Sequence, residues 1–221
     1  MSSISWNAEF SAITCFGNVM EPANFNITIS FDDESVNPDD QTIAFGRIRH
    51  LIKELYQDAI FCWLGNATLQ TLHKKFDTKL VTLPFAPNNY CIGVTTWYKI
   101  LSMTQGRVNL TSINLSSDKS DNICINIDQD MVTEDDLMAE LDMKNWNKPA
   151  WWFRPTPTTF DILTKKKGQN VMEYHEAEWY EWLQWDQEQE VVKTKKSKKQ
   201  ENNVIPLKKN WKPEVIKGDK N

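Results

Sequence analysis

The chain has 221 residues, 40% of them apolar, with 10 Trp, 10 Phe and 5 Tyr, and a net charge of −5. That composition supports one sizeable core and excludes a fibrous or wholly disordered chain. No apolar run approaches the roughly 20 residues that span a bilayer and no basic, apolar leader opens the sequence, so the expectation is a cytoplasmic protein with no membrane partner.

Charge is unevenly placed. Residues 1–162 hold 20 acids against 12 bases, residues 169–192 hold seven acids and no base, and residues 193–221 hold ten lysines against three acids. An acidic body with a basic tail favours solubility and offers the tail an acidic or nucleic-acid partner. Cys15, Cys62, Cys91 and Cys124 each stand among apolar neighbours. They read as four buried, reduced thiols rather than a disulfide framework or a zinc site. Sequons at Asn26, Asn66, Asn109 and Asn114 would matter only in a secreted chain.

In chain order, Asn26–Phe31 alternates apolar and polar residues as a half-buried strand does. Asn37 then caps a helix with Pro38 at its first position and acids at its positive end. Ala44, Ile48, Leu51, Ile52, Leu55 and Ala59 form one apolar stripe along that helix. A short helix is expected over 67–76, a strand over 79–83 ended by Pro84, and a helix over Cys91–Met103. Two alternating runs, 108–115 and 122–127, flank a hairpin loop, and Thr133 opens a short helix through Leu141. The fold class is α+β: a largely antiparallel sheet with helices on one face, spanning 1–143.

Beyond that domain the pattern changes. Residues 144–168 form an aromatic, proline-rich segment in which Pro149, Pro155 and Pro157 forbid regular structure. An acidic helix is expected over 169–192, with Met172, His175, Trp179 and Trp182 on one face. A basic, low-complexity tail covers 193–221.

Asn26–Asp32, Ile43–Ile52, and Ile92–Arg107 with its following strands resemble a group of uncharacterised proteins of large contractile-tailed bacteriophages, marine ones in particular. The resemblance spans residues 25–127 and implies a viral setting in the host cytoplasm, with the virion as the other location. It implies no catalytic residue. The 21 lysines against 4 arginines fit an AT-rich phage genome.

No motif fixes a reaction. The seven glycines never fall within ten residues of one another, which excludes the clustered glycines of phosphate-binding loops and dinucleotide fingerprints. There is no nucleophile elbow. His50 and His73 read as surface histidines. His175 and Glu178 share a helix face, but with no second histidine or cysteine nearby a structural role outweighs a metal. Asp33-x-Ser35-x-Asn37-x-Asp39 has a calcium-loop rhythm, yet Pro38 and Ala44 stand where glycine and glutamate are needed. The expectation is no enzyme, no metal and no cofactor.

The run from Trp146 to Phe160 can be read as a base-stacking platform, as a latch or, with its aromatics exposed, as a protein-docking surface. As a platform, Trp146, Trp151, Trp152 and Phe153 stack unpaired bases while Lys144, Lys148 and Arg154 meet phosphates. As a latch, the same aromatics insert into the body. Acidic runs on both sides favour the latch. Candidate partner-binding residues are Trp151, Trp152, Arg154, Lys195, Lys196, Lys198, Lys199 and Trp211. The leading expectation is a phage accessory or assembly protein whose partner is another protein, of host or phage. The alternative is a single-stranded nucleic-acid binder using the tail and the 144–154 aromatics.

Overall fold

The computed structural model describes residues 3–32, 37–66, 78–131, 149–166 and 169–173, with the strands within 162–173 described by their backbone only. A long hairpin organises it. Strands β1 (Ser3–Phe16) and β2 (Val19–Asp32) pair without a register shift from Ser3↔Asp32 to Phe16↔Val19. Gly17 turns the chain at φ +60°, the left-handed conformation a two-residue hairpin turn demands. Period-two alternation then separates the faces. Phe10, Ala12, Phe25, Ile27, Ile29 and Phe31 are buried on one side, and Phe10 stacks on Phe25 at 4.9 Å. Ser5, Asn7, Asn24, Thr28 and Ser30 occupy the other, where they satisfy one another: Thr28 Oγ1 donates to Asn7 Oδ1 at 2.6 Å and Ser11 Oγ to Asn24 Oδ1 at 2.8 Å.

Four more strands extend the hairpin: β3 (Ile60–Trp63), β4 (Leu80–Leu83), β5 (Asn109–Ser117) and β6 (Ile125–Asp128). The sheet order is β4-β3-β1-β2-β5-β6. Strand β3 runs parallel to β1 and β4 parallel to β3, while the other pairings are antiparallel. A separate hairpin pairs β7 (Ile162–Lys166) with β8 (Gln169–Glu173).

Helix α1 (Pro38–His50) starts as the sequence implies, with Asn37 Oδ1 accepting from the Asp39 N–H at 3.1 Å. It passes into a π-helical turn, Leu51–Tyr56, closed by the Gln57 N–H on the Ile52 carbonyl at 3.2 Å. The expected stripe is buried along both, and Ala59 with it. Helix α2 (Asn89–Thr104) is capped by Asn88 and ends at Gln105 and Gly106, both left-handed. Arg47 of α1 is fully buried and donates to the Met103 carbonyl at 2.6 Å, placing a cation on the negative end of α2. The result is the expected α+β class, a mixed, mostly antiparallel six-stranded sheet with two helices packed on it.

Three expectations are corrected. His50 is buried rather than at the surface, set at the end of α1 where it lines a recess shared with Trp6 of β1. Cys124 is exposed, since it lies ahead of β6 in the turn rather than on the inward face, while Cys15, Cys62 and Cys91 are buried. Residues 169–173 are strand, not the start of an acidic helix: pairing with Ile162–Lys166 across Lys167-Gly168 overrides helical preference there. The helices expected over 67–76 and 133–141, and the rest of the acidic helix, lie outside the described residues. Among the described residues no helix is long and apolar enough to cross a membrane.

Candidate functional site

The aromatic segment is a clasp around strand β4. A 3-10 turn, Trp151–Phe153, places Trp151 and Trp152 in full burial, edge to face at 5.7 Å. The Trp151 indole N–H donates to the Thr82 carbonyl at 2.6 Å, and Phe153 meets the Tyr98 ring of α2 at 5.1 Å. The chain then follows the β4 edge. The Thr82 N–H donates to the Thr159 carbonyl at 3.1 Å, and the Asp161 N–H to Thr82 Oγ1 at 2.9 Å. Phe160 crosses to the opposite sheet face and packs with Cys15, Ile60, Cys62 and Leu80. The clasp thus grips both faces of the sheet.

One buried cation holds it. Lys99 is the only charged residue of α2, and its Nζ donates to the carbonyls of Trp151, Arg154 and Thr156 at 3.0, 2.9 and 2.6 Å. Burial, with the nearby Arg154 cation, pulls Lys99 well below the ordinary lysine range, and Asp161 opposes that pull. Asp161 is itself buried and accepts from Arg154 Nη2 at 2.6 Å and from the Trp151 N–H at 2.8 Å. The Lys99 bonds tie α2 to the clasp, and the Asp161 bonds tie the two ends of the clasp to each other.

Trp151 and Trp152 therefore offer no surface to a partner or a base, which corrects their place among the candidate binding residues. Arg154 is committed to Asp161, with 11% of its side chain exposed. Lys144, Trp146, Lys148, Lys195, Lys196, Lys198, Lys199 and Trp211 lie outside the described residues, as do His73 and His175. Among the described residues no three His, Cys, Asp or Glu side chains converge where a metal ion could sit.

A different place has the geometry of a binding site. Strand β1 is 14 residues long but pairs with β3 only over Ile13–Cys15, so most of that edge overhangs. The Ile13 N–H bonds to the Ala59 carbonyl, the Ser11 carbonyl accepts from the Asp58 N–H, and the Glu9 carbonyl accepts from Lys53 Nζ at 2.6 Å. Odd-numbered residues thus point their backbone groups to this side, and strand alternation gives Ser3, Ser5 and Asn7 the same direction. Among the described residues nothing pairs with the backbone of those three on that edge.

Beside this open edge lies a pocket of about 610 Å³, lined by Trp6, Thr42, Phe45, Arg49, His50 and Glu54 among others. Its size suits a large side chain or a small ligand. Trp6 faces the helix side of the sheet, so a residue added opposite it on the open edge projects its side chain alongside the indole. His50 and Glu54 come from the junction where α1 passes into the π-helical turn, a distortion frequent at functional sites. An unpaired edge flanked by an aromatic pocket is the arrangement that captures an extended peptide: backbone bonds supply affinity and the pocket supplies selectivity. Sequence reasoning missed it because it depends on β1 outrunning β3, which no local pattern records.

Comparison with protein-family models gives no match for this chain, and comparison with curated proteins gives none.

Proposed function

We propose that the protein is a non-enzymatic accessory or assembly protein of a contractile-tailed bacteriophage, working by protein–protein contact in the host cytoplasm or the virion. The observation that carries the contact reading is the open β1 edge at Ser3, Ser5 and Asn7 beside the Trp6 pocket, which suits a strand donated by another polypeptide. The phage setting rests on the resemblance of residues 25–127. Burial of Trp151 and Trp152 takes away two of the four aromatics on which the competing single-strand reading would stack bases.

The test is affinity capture with wild type and Ser5→Pro. The substitution removes an N–H that faces the open edge and leaves the β1–β2 ladder its bonds. Loss of the captured protein from the folded variant is expected. Undiminished capture refutes the edge as the contact surface. A single-strand titration at two salt concentrations addresses the competitor, which requires binding that falls steeply with salt.

A further inference from the structure

We propose that the strand β1 accepts is the β1 of a second copy, paired antiparallel about a two-fold axis at Ser5, an inference that rests on the contact reading of that edge. The outward backbone of Ser3, Ser5 and Asn7 fixes the register, because residues exchanging both bonds stand directly opposite one another. Ser5 then faces the partner subunit's Ser5, and Ser3 faces the partner subunit's Asn7. On the helix side, Ile4 meets the partner subunit's Trp6 at a closely spaced, non-hydrogen-bonded position. That is a β-branched and aromatic pair on each side of the axis. Ile4 and Trp6 are only part-buried in the single chain, so pairing covers what folding leaves open and walls the pocket beside Trp6.

The chemistry of the segment favours a copy of itself over a foreign peptide. Ser3-Ile4-Ser5-Trp6-Asn7 contains no charge, so antiparallel self-pairing opposes no like charges. It also has no proline, glycine or bulge, the devices by which exposed edges are guarded against pairing. The other edges differ. Thr159 and Asp161 run along β4, and β6 is only four residues long, with Asp128 at its end. Lys53 on the Glu9 carbonyl marks where the free stretch stops. Docked this way, the two six-stranded sheets join through the overhanging ends of their β1 strands in an isologous contact.

Sedimentation equilibrium on the full chain tests this, with Ser5→Pro, Ser5→Lys and Ser5→Glu as variants and circular dichroism to verify folding. Wild type is expected at twice the 25.8 kDa chain mass, and each variant alone at the single mass. Mixing Ser5→Lys with Ser5→Glu should restore the doubled mass, because only a two-fold at Ser5 sets those charges against each other. A wild type of single mass at every soluble concentration overturns the proposal, and so does a dimer that survives Ser5→Pro or a mixture that stays monomeric. A monomeric wild type whose captured partner is still lost in Ser5→Pro overturns the second copy while leaving the contact function standing.

Discussion

Replacing Lys99 by Met isolates what the buried ammonium does for the clasp, because the two side chains have similar volume and the packed stem is retained. Three carbonyls lose a donor. The Trp151 carbonyl keeps the Arg154 N–H at 3.1 Å, and the Arg154 carbonyl keeps Ser102 Oγ at 3.0 Å. The Thr156 carbonyl keeps no donor among the described residues. One orphaned acceptor costs about 1–3 kcal/mol, and each charge-assisted bond lost adds about 1.5–3 kcal/mol. Against this stands relief from burying an ammonium, several kcal/mol. The net expectation is a loss of about 2–4 kcal/mol, which for a chain of this size lowers the melting temperature by roughly 4–16 °C. The clasp should stay docked, since burying its two tryptophans removes roughly 300–500 Å² from water. Differential scanning calorimetry reads the shift. A Lys99→Met protein that melts at or above the wild-type temperature would refute the reasoning, showing that desolvation of the ammonium outweighs its three bonds.

Burial raises the Asp161 carboxyl above its ordinary value of 3.8, against the opposing pull of Arg154. A carboxyl raised on folding contributes stability that is fully present below pH 3.8 and lost as pH climbs through the folded value. Relative to Asp161→Asn, wild type should therefore lose stability across the window just above pH 3.8; a relative gain would mean that Arg154 holds the carboxylate ionised. Burial likewise raises the thiols of Cys15, Cys62 and Cys91, the last to about 12. Iodoacetamide at pH 8 should label exposed Cys124 alone in the native protein, as mass mapping can check, and labelling of Cys62 or Cys91 at a comparable rate would contradict the core described. A methyl group on Gly93 of α2 would run into Ile127 Cδ1 of β6, so Gly93→Ala should destabilise by about 1–3 kcal/mol in urea unfolding.

Much of the architecture follows from local pattern. The Asn37-Pro38 start, the stripe from Ala44 to Leu55 and the uncharged run into α2 each declare their element, because burial on one face imposes a period that the residues repeat. Strand β1 escaped because small residues, Ala8 and Ala12, fill its inward positions and thin out the hydrophobic alternation. Strand β3 escaped because Ile60–Cys62 continues the apolar count of the helix before it. His50 sits off the stripe of α1 between two cations in sequence and so reads as solvent-facing, yet the fold buries it beside Trp6 of β1. The buried aromatics were legible as a latch from their prolines and acidic surroundings. Its anchor carried a signal too: Lys99 is a lone cation in a 16-residue helix that otherwise has no charge. The open edge has no such signal, because it arises from the difference in length between two strands whose nearest ends, Phe16 and Ile60, lie far apart in the chain.

Hydrogen exchange at single-residue resolution along β1 tests the central claim most directly. In dilute protein the Trp6 and Ala8 amides, turned toward β2, should be protected while those of Ser5 and Asn7 exchange freely. As concentration rises into the self-associated range, Ser5 and Asn7 should slow to ladder rates with Trp6 and Ala8 unchanged. Free exchange at Ser5 and Asn7 in the associated protein, or protection of both at every dilution, would contradict the account.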